Sequence, residues 1–228
     1  MSTAESKAYE MIVGMILSRS FAPGDRLVES EIAQEIGLSR TPIRSAMRQL
    51  AAEGLLETRD NKGCYIPRLS PKDMNEVFKA RAYIEGKLAF EAAYARTDDD
   101  ICLMKQLLAE DKLYYSERRH REYAEVNKKI HLMLGKIARN SYLERFARQL
   151  FWRSELYIFF FDRFYVPTEA DGLLRDPSKS VSCTEHDGIF NAIEMSDGEM
   201  AEQAARQHVY TSYSTMAGRV PKSGIMGM

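Results

Sequence analysis

The chain has 228 residues, 45% apolar and 29% charged, with 13 Gly and 7 Pro. That balance belongs to a folded, helix-leaning protein of one large or two smaller domains, and it excludes peptide toxins and disordered linkers. The formal net charge of -1 excludes blanket polyelectrolyte binding, so any contact with nucleic acid has to come from locally concentrated basic residues.

The longest apolar run, residues 156–161 (LYIFFF), is far short of the roughly 20 residues that span a bilayer. The first ten residues lack a basic-then-apolar signal pattern, so the expectation is a cytoplasmic protein without a membrane partner. Cys64, Cys102 and Cys183 are odd in number and scattered, which points to reduced thiols rather than a disulfide frame or a thiolate metal site.

In chain order, Tyr9, Ile12, Val13, Ile16 and Leu17 recur at helical spacing and predict a first helix over 8–17, ended by Pro23-Gly24. A short amphipathic helix over 29–36 is closed by Gly37, which suits a tight helix-to-helix turn. Ser39 is expected to cap a third helix running to Gly54, with Ile43, Ala46, Met47 and Leu50 on one face. Two strand-like runs, 55–58 and 64–67, flank the turn 59–63 and read as a hairpin. Ser70-Pro71-Lys72-Asp73 is a helix start with a serine cap, a first-turn proline and a first-turn acid. Helical periodicity then covers 73–96, 99–117, 122–139, 142–164, 183–195 and 198–216, with one long loop at 166–180. The expected fold is mostly α. Residues 1–69 form a winged helix-turn-helix of three helices and a β-hairpin wing, and residues 70–228 form an all-α six-helix bundle.

The third helix carries the nucleic-acid signal. Arg40, Arg44 and Arg48 stand four apart on the face opposite the apolar residues, and no acid interrupts the helix. Such a stripe suits the major groove, where arginine pairs bidentately with guanine. Ser39 and Thr41 can bind phosphate or a base edge, and Lys62 with Gly63 at the wing tip can approach the backbone. The run PGDRLVESEIAQEIGLSRTPIRSAMRQLAAEGLLE, followed by a Gly-containing wing, resembles the winged helix-turn-helix of GntR-type bacterial regulators. That resemblance implies contacts to operator DNA from Arg40, Thr41, Arg44 and Gly63. Some relatives carry arginine where this chain has Ser30, so a contact from the second helix is expected to be weaker.

Of four histidines, His120 lies in a charge run (ERRHRE) that reads as a solvated helix junction. His131, His186 and His208 each share a helix face with apolar or small residues and point inward from different helices. One inward histidine is usually a hydrogen-bonded core residue; three, with Asn127 one turn before His131, favour convergence on a metal. The segments NKKIH, EHDGI and AARQH are similar to the FCD effector domain of the FadR subfamily. The resemblance implies that Asn127, His131, His186 and His208 hold a divalent metal ion, zinc first and nickel, manganese or iron as alternatives, with a small organic acid effector completing the coordination. With amide in place of the commoner Asp, the metal's charge is expected to lack compensation, weakening the metal and strengthening an anionic ligand.

Arg81 lies on the apolar face of the first long helix and needs an anion, either Glu85 one turn on or a ligand carboxylate. The resemblance implies that Arg81 binds the effector, with Arg153 a weaker candidate for the same pocket. The function expected is a homodimeric, ligand-responsive regulator that binds double-stranded operator DNA and is not an enzyme. Two alternatives stay open: a metal-dependent enzyme built on the three histidines, which would need a general base that only Glu185 is placed to supply, and a regulator whose histidines bind the effector without metal.

Overall fold

The structure, a computed structural model, describes residues 3–59, 63–162 and 174–220. Helix α1 (Thr3–Leu17) buries Ala8, Ile12, Val13 and Ile16. It starts earlier than the apolar spacing indicates because its first five residues bury no side chain and so leave no periodic trace. Helix α2 (Glu29–Ile36) ends at Gly37, whose φ of 72° turns the chain sharply into α3 (Arg40–Ala52). Ser39 occupies the N-cap position of α3, but its hydroxyl makes no capping bond, which corrects its expected capping role.

The wing has one strand more than expected. Strands β2 (Glu57–Arg59) and β3 (Gly63–Tyr65) form the hairpin, and β1 (Arg26–Leu27) pairs antiparallel with β3 on its other side, giving the order β1-β3-β2. A two-residue strand is too short for alternation to reveal it, so only the paired hairpin identifies it. Lys62 lies outside the described residues.

Six helices follow: α4 (Pro71–Ala95), α5 (Asp98–Ser116), α6 (His120–Ala138), α7 (Ser141–Phe161), α8 (Val181–Glu194) and α9 (Gly198–Ala217). Ser70 caps α4 by accepting from the Asp73 N–H at 3.2 Å, and Thr97 with Asp100 forms a capping box on α5. Part of the expected loop before α8 is a 3-10 turn, Pro177–Lys179. Helix α4 is the axis of the bundle, in contact with α6, α7, α8 and α9. Cys64, Cys102 and Cys183 are free thiols, and Cys102 is exposed.

The winged unit and the bundle share apolar packing. One buried cluster runs from Ile12, Ile43 and Leu50 through Leu55 and Ile66 to Phe78 of α4 and Phe151, Trp152 and Leu156 of α7. Gly54, at φ 89°, closes α3 against α7, where a Cβ would meet the Gln149 carbonyl oxygen at 2.9 Å. The Gln149 amide donates to the Ala52 carbonyl at 3.1 Å. The end of α3 is therefore docked on the helix that also walls the cavity described next.

Candidate functional site: a basic helix and a three-histidine cavity

Helix α3 buries Pro42, Ile43, Ala46, Met47 and Leu50, which turns its other face outward. Ser39, Arg40, Thr41, Arg44 and Arg48 are all exposed on or beside that face. Gly63 is exposed at the start of β3 with φ 92°, close to the Arg26 guanidinium. Arg44 is not free: its Nε and Nη2 donate to the Glu29 carboxylate on α2 at 3.0 and 2.8 Å. This pairing holds the Glu29 carboxyl below the usual carboxylate range.

Inside the bundle, His131 on α6, His186 on α8 and His208 on α9 come together, with one ring nitrogen from each lying within 4.8 Å of the others. All three are buried. Each Nδ1 faces a carboxylate: His131 and Glu85 at 2.8 Å, His186 and Asp111 at 3.0 Å, His208 and Glu185 at 2.9 Å. In a neutral imidazole with Nδ1–H donating to a carboxylate, the Nε2 lone pair points the other way. The His186 Nε2 has no protein partner.

The surroundings favour neutral imidazoles at His131 and His208 and charged carboxylates at Glu85 and Glu185. Burial holds His131 down to about 3, against the pull of Glu85 in the other direction. Burial likewise lowers His208, partly offset by Glu185. Burial alone would raise the Glu85 carboxyl, but Arg81 and His131 beside it prevail and hold it well below the usual range. Glu85, Asp111 and Glu185 thus stand directly behind the three imidazoles. The expectation of uncompensated metal charge counted only Asn127 and the three histidines, and the acids behind the imidazoles add to that environment.

A cavity of about 510 Å³ opens onto this cluster, with Asn127, His131, His208, Arg81 and Glu155 in its wall. Arg81 is 1% exposed and donates through Nε to Glu85 at 2.6 Å and through Nη1 to Ser154 at 2.7 Å. Both partners foreseen for Arg81 are thus compatible: it pairs with Glu85 and still borders the cavity. Glu155 lies 3.5 Å from Arg81 Nη1, and burial raises its carboxyl to about 7 despite that cation. Its Oε2 has no protein partner.

Arg153 is not brought to this cavity. Its guanidinium donates to Asp73 at 3.0 Å and to the Arg68 carbonyl at 3.1 Å, beside a separate groove that includes Ala80, Ile84 and Phe146. Glu185 is engaged by His208 and by the Thr211 hydroxyl, which leaves it poorly placed as a general base. Asp111 and Glu155 were missed from sequence. Their signal was an acid on an apolar stripe: Asp111 follows Met104 and Leu107, and Glu155 sits between Phe151 and Phe159 at four-residue spacing.

A winged helix-turn-helix docked on a helical bundle points to a DNA-binding transcription regulator rather than an enzyme. The chain matches the model of the bacterial regulatory proteins of the gntR family over residues 4–66 and the FCD domain over residues 76–211. It belongs to the GntR family of transcription regulators, in the group that carries an FCD domain. It is 31% identical over 209 residues to the uncharacterized HTH-type transcriptional regulator YdhC of Bacillus subtilis, covering 90% of this chain and 86% of that protein. It is 26% identical over 210 residues to the HTH-type transcriptional repressor RspR of Escherichia coli, covering 88% and 83% of the two chains. Among solved structures, E. coli McbR/YncC has the same fold, with a TM-score of 0.74, 16% identity and coverage of 95% of this chain and 98% of that one. Among the described residues no helix is long and apolar enough to cross a membrane.

Proposed function

We propose that the chain is a homodimeric regulator in which a divalent metal and a small organic acid, bound in the bundle, control operator binding by the winged unit. In this reading residues 1–69 read DNA. Arg40, Thr41, Arg44 and Arg48 face the major groove, while Ser39, Lys62 and Gly63 contact the backbone. Residues 70–228 bind effector and form the dimer, so that two winged units meet two half-sites. Exposed Tyr83 on α4 and Tyr142 and Phe146 on α7, at 61%, 74% and 53%, supply apolar surface suited to a second copy.

The observation that carries the metal reading is the unpartnered, fully buried Nε2 of His186 beside two further imidazoles, each backed by a carboxylate. A buried polar atom without a partner is costly, and three imidazoles oriented this way suit zinc. Asn127, one turn from His131 in the same wall, would add an oxygen. When bound, the metal supplies an electrophilic seat for a carboxylate. The chain's residues do the rest: Glu85, Asp111 and Glu185 orient the histidines, and Arg81, bonded through Nε to Glu85 and through Nη1 to Ser154, keeps Nη2 for the acid.

Native mass spectrometry with elemental analysis of the purified chain tests this reading. The expected result is a dimer carrying one metal ion per chain, lost in His131→Ala, His186→Ala and His208→Ala but kept in His120→Ala. Stoichiometric metal in the triple variant, or equal loss in the His120 control, would remove the metal from the reading.

A further inference from the structure

Among the described residues, the acid that pairs with the basic face of α3 is Glu29, in the first turn of the neighbouring helix α2. It does not merely lie near the arginines. Arg44 Nε is 3.0 Å from both Glu29 oxygens and Nη2 is 2.8 Å from Oε2, so one whole edge of the guanidinium is engaged. Arg40 Nη2 approaches the same Oε2 at 3.9 Å. The position of Glu29 at the positive end of α2 favours its charged form.

The pair is an unpromising stabilising device, because Arg44 and Glu29 side chains are 49% and 27% exposed and such ion pairs contribute little to folding. On a DNA-binding face a carboxylate also repels phosphate, so an acid here costs general affinity. Its geometric effect is specific. A free arginine has five donors and several rotatable bonds, and it can settle on a phosphate as readily as on a base. With Nε and Nη2 turned toward Glu29, Arg44 keeps its outer edge, Nη1 and the second Nη2 hydrogen, for a partner in the groove. That edge is a two-donor fork matching guanine O6 and N7.

We propose that Glu29 is a specificity-determining positioning residue, which holds the Arg44 guanidinium by one edge so that its remaining fork reads guanine instead of roaming to phosphate. The inference rests on the reading that α3 enters the groove. Glu29 acts through Arg44 and needs no contact with DNA of its own. The acid lowers binding to all sequences while raising the difference between right and wrong ones.

The test uses the full-length chain and a random-duplex library, with selection and sequencing for parent and variants, followed by a salt series on one enriched and one unrelated duplex. Glu29→Gln should reduce the guanine preference at one position per half-site about 5- to 10-fold. It should also raise affinity for the unrelated duplex and steepen its salt dependence by roughly one unit. Glu31→Gln, which removes the same charge two residues away on α2, should leave the preference intact. In an Arg44→Ala background, where the preference is already lost, Glu29→Gln should remove nothing further. Parental guanine preference in Glu29→Gln overturns the proposal, as does an equal loss in Glu31→Gln or a further loss in the Arg44→Ala background. If Arg44→Ala itself leaves every base preference unchanged, the groove assignment of α3 fails, and the role of Glu29 fails with it.

Discussion

The indole N–H of Trp152 donates to the Glu53 carboxylate at 3.1 Å, joining α7 of the bundle to the residue that ends the recognition helix. Glu53 is also held by the Tyr9 hydroxyl at 2.7 Å, so α1, α3 and α7 meet at one carboxylate. Phe151, next to Trp152 in sequence, lies against both the Arg81 guanidinium and the His131 ring, at 5.0 and 5.4 Å. Adjacent residues of α7 thus pack against two side chains of the cavity wall and against the end of α3. Trp152→Phe keeps an aromatic ring but removes the donor together with the five-membered ring that carries it. The expected cost is about 1–2 kcal/mol, read as a lower urea midpoint by circular dichroism. An unchanged midpoint would mean that the bond contributes nothing to docking.

Arg81 is expected to be more than a ligand contact. Its removal leaves Glu85, which is 2% exposed, without its cation. Arg81→Ala should therefore destabilise the fold by about 3–5 kcal/mol. Adding Glu85→Gln should recover part of that loss, since the stranded charge goes too. Denaturant unfolding of single and double variants decides it, and additive losses would show that the two side chains act independently.

Glu155 predicts a pH dependence of stability with a definite sign. Its carboxyl is raised from 4.5 to about 7 in the folded chain. Between those values the folded protein retains a proton that the unfolded chain has lost, so stability falls as pH rises through the window, by about 3 kcal/mol in total. Glu155→Gln, which stays neutral, should abolish that fall and be the more stable protein at pH 8. Urea midpoints for both proteins at pH 5 and pH 8 measure the difference, and parallel profiles would contradict the assignment.

The carboxylates behind the histidines should govern metal affinity. Asp111→Asn and Glu185→Gln keep an oxygen for Nδ1–H but lose the charge, and each should weaken the metal about 10- to 100-fold. Asn127→Asp should act in the opposite direction on the metal, by adding a charged oxygen on the cavity wall. Titration against a competing chelator ranks the variants. Parental affinity in both Asp111→Asn and Glu185→Gln would mean that the histidines are ordered by packing alone.

Much of this architecture was determined locally and was legible in the sequence. The three helices of the winged unit and the six of the bundle follow from apolar spacing, from Ser70 and Pro71 at one boundary and from Gly37 at the turn, because periodicity and chain breakers act within a few residues. The exposed arginines of α3 follow from the same rule, since its apolar positions leave only one face for them. The inward direction of three histidines was likewise a matter of helical phase.

Only the tertiary structure decided which groups those side chains meet. Asp111 is 75 positions from His186 and Glu85 is 46 from His131, separations that no local pattern encodes. Glu29 and Arg44 meet because the Gly37 turn folds α2 across α3. Strand β1 exists because Arg26 and Leu27 find β3. Arg153, adjacent to Trp152 in sequence, is turned away from the cavity because Asp73 and the Arg68 carbonyl satisfy it at the junction. Spacing along a helix sets the direction of a side chain, but its charge environment is built by neighbours from other helices, and that environment decides what the histidines and arginines can bind.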